Sequence, residues 1–216
     1  MLRDFNNVDI LTLTIVGCLL LVAVSKLLFP KRFDEFVLLL FNARYSSLYS
    51  KDQRFFDIFE GLLFFNFILN LGVLLYTYFR YNGLSTVAQS DIFTYAFLIG
   101  LFIILKVFFE RLLSSVLDIE TIIDKYLFQK ISFRNFIGLL LLPLNAFLLY
   151  TFKPNQMVFY FGFGFLILIL IFGLFLFVKN NLNTFKKSLF YFILYLCTLE
   201  IAPYVVIYKI ITTNQV

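Results

Sequence analysis

The residues of this sequence best placed to do chemistry are ionisable side chains lying inside long apolar segments. Glu60, Lys106, Glu110 and Arg111 fall near the same end of two such segments. A charge within a membrane span costs a few kcal/mol or more, so it faces the bundle interior, where it is paired or put to use. Lys106 and Glu110 are four residues apart, the spacing at which side chains on one helix meet. Glu60 lies about as deep in its segment as Lys106 in the next, at a rise of about 1.5 Å per residue. The four form the sharpest charged constellation of the chain. Its chemistry would be acid–base work on a lipid-linked substrate or, more simply, an ion network that fixes helix packing. Glu200 lies deeper, in another segment, with no positive charge within four residues on the same helix. Pro203 frees the carbonyl of Leu199 from its helical hydrogen bond. Asn66 and Asn145 sit at similar depth on two further segments, as candidate hydrogen-bond partners of Glu200. That group would be a proton or substrate site, or a hydrogen-bonded packing feature.

Much other chemistry is excluded. The sequence has no His, the commonest general base and the commonest metal ligand. Asp118, Glu120 and Asp124 are spaced like an exposed helix face and not like a metal site. No cofactor is expected, and the sequence leans away from an enzyme. Gly162-Phe163-Gly164 lies within an apolar run, where it is expected to allow close helix approach and not to bind phosphate. Cys18 and Cys197 form no CxxC pair and read as small packing residues.

The elements that must position these groups are membrane spans. The chain has 216 residues, 62% of them hydrophobic and only 14% charged. A soluble domain is about half apolar and about a quarter charged, so lipid must solvate much of this surface. The reading is an all-α polytopic membrane protein, forming a single transmembrane domain over the whole chain. Six segments reach the length needed to span, about 20 apolar residues: 8–29, 55–79, 92–110, 136–152, 157–178 and 188–211. The first continues apolar past Ala23-Val24-Ser25 to Phe29, with Asp4 and Asp9 beside Arg3 before it, and fits a retained anchor better than a cleaved signal. The fourth, interrupted by Pro143, is the shortest.

Lys and Arg orient the bundle. Lys26, Lys31, Arg32, Arg44, Lys51 and Arg54 cluster between the first two spans. Lys106, Arg111, Lys125, Lys130 and Arg134 cluster around the third connection, and Lys179, Lys186 and Lys187 around the fifth. Only Arg3, Arg80, Lys153 and Lys209 lie on the other side. The positive-inside rule places the basic connections in the cytoplasm and both termini in the periplasm. The net charge of +5 is thus a matter of topology and not of nucleic acid. Two basic connections, 33–48 and 112–131, repeat apolar residues at helical spacing. They read as amphipathic helices at the cytoplasmic interface, against lipid, the protein's own spans, or both.

Three stretches carry a family resemblance: Phe29-Pro-Lys-Arg-Phe33, Lys130-Ile-Ser-Phe-Arg-Asn-Phe-Ile-Gly-Leu-Leu-Leu-Leu-Pro143 and Phe190-Tyr-Phe-Ile-Leu-Tyr-Leu-Cys-Thr-Leu-Glu-Ile-Ala-Pro-Tyr204. They resemble a Bacteroidota membrane family known as domain of unknown function 4271, over nearly the whole chain. The resemblance implies a polytopic bacterial inner-membrane protein and no established activity. Glu200, Pro203, Tyr204, Arg134 and Pro143 fall inside the matching stretches. The reading that best fits these features is a non-enzymatic subunit or scaffold of a cell-envelope membrane complex, with the lipid bilayer and other membrane proteins as partners. The alternatives are a small carrier, proton-coupled through Glu200, and, more weakly, an enzyme on a lipid-linked substrate.

Overall fold

The computed structural model describes residues 9–39, 57–82, 91–116, 120–150 and 156–180. They form α1 (Asp9–Leu28), α2 (Pro30–Val37), α3 (Ile58–Tyr81), α4 (Asp91–Val116), α5 (Glu120–Tyr150) and α6 (Gln156–Asn180). Every described element is a helix. Five are long and apolar enough to cross a membrane: Ile10–Leu28, Ile58–Tyr81, Asp91–Val116, Ile123–Tyr150 and Met157–Leu176. The chain is a multi-pass helical membrane protein. The sixth expected span, 188–211, lies outside the described residues.

Two expectations about the middle of the chain need correction. Residues 112–131 do not form a separate interfacial helix. Leu112–Val116 continue α4, and Glu120–Ile131 open α5, a single helix of 31 residues that runs on through Pro143. The fourth span is therefore not the shortest element but the longest described one. The charges at Lys125, Lys130 and Arg134 break the hydropathy of this stretch. They do not break its backbone, because no Gly or Pro interrupts 120–137 and the charge at Lys130 finds a carboxylate partner. Of the other expected interfacial helix, 33–48, only the beginning is described. There α2 starts with Pro30 at its first turn, where a missing N–H goes unused, and buries Phe33 and Phe36.

The inner pair of the bundle is α3 and α5. Their apolar windows are 61% and 56% buried within the protein, against 28% for each of α1, α4 and α6. The pair runs parallel, since residues 60, 67 and 70 of α3 meet 135, 138 and 145 of α5. Gly138 permits this contact: a Cβ there would stand 2.6 Å from the Cα of Phe67. At Gly173 of α6, a Cβ would stand 2.8 Å from the ring of Phe133. Among the described residues, no helix makes the expected close approach at Gly162 or Gly164. A Cβ on Gly162 would make ordinary contact with Leu144 at 3.7 Å, and one on Gly164 would meet nothing within 4 Å. The outer helices present large apolar side chains such as Leu13, Phe97 and Phe161 on their free faces. Facing lipid, those side chains need no protein partner.

Candidate functional site

Polar groups gather in two layers of the bundle. The first lies at the end where α1 finishes and α3 begins, which is also where α4 finishes. Arg32 of α2 pairs with Asp57, immediately before α3, and approaches Glu60 at 3.9 Å. Glu60 is buried, and its carboxylate is held from α5: Ser132 Oγ donates to Oε1 at 3.2 Å and Asn135 Nδ2 to Oε2 at 2.5 Å. The same amide donates to the Glu60 backbone carbonyl at 3.2 Å, locking side chain and backbone of α3 to one residue of α5. The guanidinium of Arg32 also sits 4.9 Å from the ring centroid of Phe59.

A second ion group belongs to the same end. Glu110, fully buried, accepts a hydrogen bond from Lys130 Nζ of α5 at 2.7 Å and has Lys106 Nζ at 3.8 Å one turn back on its own helix. The four-residue pairing of Lys106 with Glu110 expected from the sequence is present. Glu60 and Arg111, the other two members of the expected constellation, line one cleft. Glu60 is paired with Arg32, Ser132 and Asn135, and Glu110 with the two lysines. Arg111 lies on the exposed side of α4.

Arg111 lines two adjoining clefts. One, of about 170 Å³, is an apolar slot between α3 and α4, bounded by Gly61, Phe64, Ile104, Val107 and Phe108, with Glu60 and Ile131 of α5 also in its lining. The other, of about 410 Å³, is polar and is bounded by Arg111, Ser114, Ser115, Glu120 and Asp124, again with Phe108. Lys106 and Glu110 line neither. Among the described residues, no group of three or more Cys, Asp or Glu side chains converges as metal ligands would.

The second layer is neutral. Asn145 Nδ2 donates to the backbone carbonyl of Asn70 at 2.9 Å and to its Oδ1 at 3.2 Å. Asn70 Nδ2 in turn donates to the backbone and side-chain oxygens of Asn66, at 2.9 and 3.0 Å. All three amides are buried. The expected proximity of Asn66 and Asn145 is thus bridged by Asn70, which the sequence reading passed over. Among the described residues, Asn66 Nδ2 and Asn145 Oδ1 have no hydrogen-bond partner. Glu200, Pro203 and Tyr204, the other members of the expected intramembrane site, lie outside the described residues.

Lys130, Ser132 and Asn135 were also missed as site residues. Their signal was legible as a stripe: Gln129, Ser132 and Asn135 recur every three residues in a helix and are all buried. Gln129 completes the stripe by donating to the carbonyl of Gly173 at 3.1 Å, which ties α5 to α6.

A protein-family model described as Domain of unknown function (DUF4271) matches residues 11–211. Nothing among the curated proteins or the solved structures matches this chain.

Proposed function

Since the chain belongs to the DUF4271 family, whose description carries no activity, we propose from its own geometry that it is a non-enzymatic subunit or scaffold of a bacterial inner-membrane assembly in the cell envelope. One observation supports this reading above others. The buried polar side chains mostly bind other helices of the same chain: Glu60 is held by Ser132 and Asn135, Glu110 by Lys130, and Asn70 by Asn145. In lipid, such bonds fix the register of helices that have no hydrophobic drive to associate. A frame locked in this way, with apolar outer faces on α1, α4 and α6, suits a part that holds other membrane proteins in place.

In this reading the basic end of the bundle is cytoplasmic and both termini are periplasmic. The test is purification in mild detergent after expression at native level. The expected result is recovery with stable membrane-protein partners; recovery of the chain by itself would overturn the reading. Labelling of single cysteines introduced at the two ends of α3 checks the orientation.

A second reading is favoured by the unpartnered Nδ2 of Asn66 in the middle of the bundle. It is a buried donor, and Glu200 is the acceptor the sequence supplies at that depth. A proton-coupled carrier would use this pair. Glu200→Gln would then abolish the cellular phenotype of the gene, and an unchanged phenotype rejects the carrier.

A further inference from the structure

The apolar slot and the polar cleft share Phe108 and Arg111, so they form two parts of one surface along α4. Their placement across the membrane follows from helix geometry. Asp91 and Arg111 stand about 30 Å apart along α4 at about 1.5 Å per residue, which is the thickness of the hydrocarbon core. Arg111 therefore marks one interface. Ile103 and Ile104, at the far end of the slot, lie about 12 Å deeper, close to the bilayer midplane. The slot thus runs the depth of a single leaflet, and the polar cleft opens at headgroup level.

We propose that this surface holds one phospholipid of the adjacent leaflet, with an acyl chain in the slot and an amine-bearing zwitterionic headgroup in the polar cleft. The side chains match that ligand part by part. Gly61, Phe64, Ile104 and Val107 offer the chain an apolar wall. Arg111 supplies the planar cation that suits a phosphate, with Ser115 beside it as a hydroxyl donor. Glu120 and Asp124 stand in the same cleft as acceptors for an ammonium, and Asp124 Oδ1 has no hydrogen-bond partner.

The charge set selects the headgroup. Among the described residues of the cleft, a purely anionic headgroup would meet one cation and two carboxylates, and so more repulsion than attraction. A choline headgroup carries no N–H to donate, whereas carboxylates only accept. An ethanolamine-type headgroup satisfies both sides.

The sequence contains no Trp, so a single introduced one reports without background. Phe64→Trp places it in the slot, Phe108→Trp at the wall shared by both clefts, and Phe97→Trp on an outer face, at a residue that is 69% exposed. Each full chain is reconstituted in phosphatidylcholine vesicles containing increasing brominated phosphatidylethanolamine. The slot and wall reporters are expected to be half-quenched at about tenfold lower mole fraction than the outer one, as one good charge-assisted contact allows. Brominated phosphatidylglycerol should show no such preference. Gly61→Leu narrows the slot, and its Cβ has room, since a Cβ there meets nothing within 4 Å. It should remove the preference while quenching of the outer reporter stays unchanged, and Arg111→Gln should weaken the preference. Identical quenching curves for slot and outer reporters, a preference for phosphatidylglycerol, or a preference that survives Gly61→Leu would each overturn the proposal.

Discussion

Near the basic end of the bundle, α3 and α5 are joined through a carboxylate, Glu60, held by Ser132 and Asn135. About 15 Å deeper along α3, the same two helices are joined through the amides of Asn70 and Asn145. The two joints have the same geometry of purpose, since each ties one side chain of α5 to both the backbone and the side chain of α3. Their chemistry differs with depth. At the end of the span, water and headgroups are close enough for Arg32 to stand beside the carboxylate and share its charge. At mid-span, a distance of about 15 Å is half the hydrocarbon thickness, and a charge there carries its full desolvation cost. A neutral amide offers both a donor and an acceptor without that cost. Depth in the bilayer thus decides which polar residue can serve as a joint.

The contrast can be broken by mutation. Glu60→Ala should have the largest effect, because it leaves two buried polar groups of α5 without their carboxylate and leaves Arg32 with Asp57 as its one remaining carboxylate in this group. A loss of about 3–5 kcal/mol is expected in reversible unfolding in mixed micelles. A loss equal to that of the amide variants would erase the distinction between the joints. Gly138→Leu pushes the two helices apart at Phe67 while leaving the residues of both joints unchanged, and overpacking of this kind should cost about 1–3 kcal/mol. A lengthened α3–α5 distance between spin labels would show the cause. Asn145→Leu removes the neutral joint and should cost about 0.6–2 kcal/mol in the same unfolding assay, the range found for interhelical hydrogen bonds in lipid. Phe97→Leu, on the lipid face, should change stability by no more than about 0.5 kcal/mol. A larger shift would mean that the face is covered by protein.

The sequence spoke clearly on span positions and poorly on partners. Hydropathy located α1, α3 and α6 within a few residues of where they stand, because an apolar run of about 20 residues has little else to be. It divided α5 between an interfacial amphipathic helix and a separate span, since Lys125, Lys130 and Arg134 interrupt the apolar run. Those charges sit in a continuous helix, and Lys130 is bonded to Glu110. Depth matched Glu60 with Lys106, but depth says nothing of which way a helix face turns. Arg32 and Asn135 reach Glu60 from α2 and α5. The Lys106–Glu110 pair was legible because four-residue spacing on one helix fixes direction as well as height. Asn70 escaped notice although it stands one turn from Asn66, and only its contact with Asn145 reveals that the three amides form a ladder.

The two joints of α3 impose an order of events at the ribosome. Asn135 and Asn145 each lie 75 residues after the α3 residue they bind. At about 5–20 residues per second, that segment follows α3 out of the ribosome with a delay of about 4–15 s. During that interval Glu60 and Asn70 are already in or near the translocation channel, while their partners on α5 do not yet exist. A span made to be buried by a later one is a poor substrate for immediate release into lipid. Its residence at the channel, and its need for an insertion chaperone, should follow from this 75-residue wait.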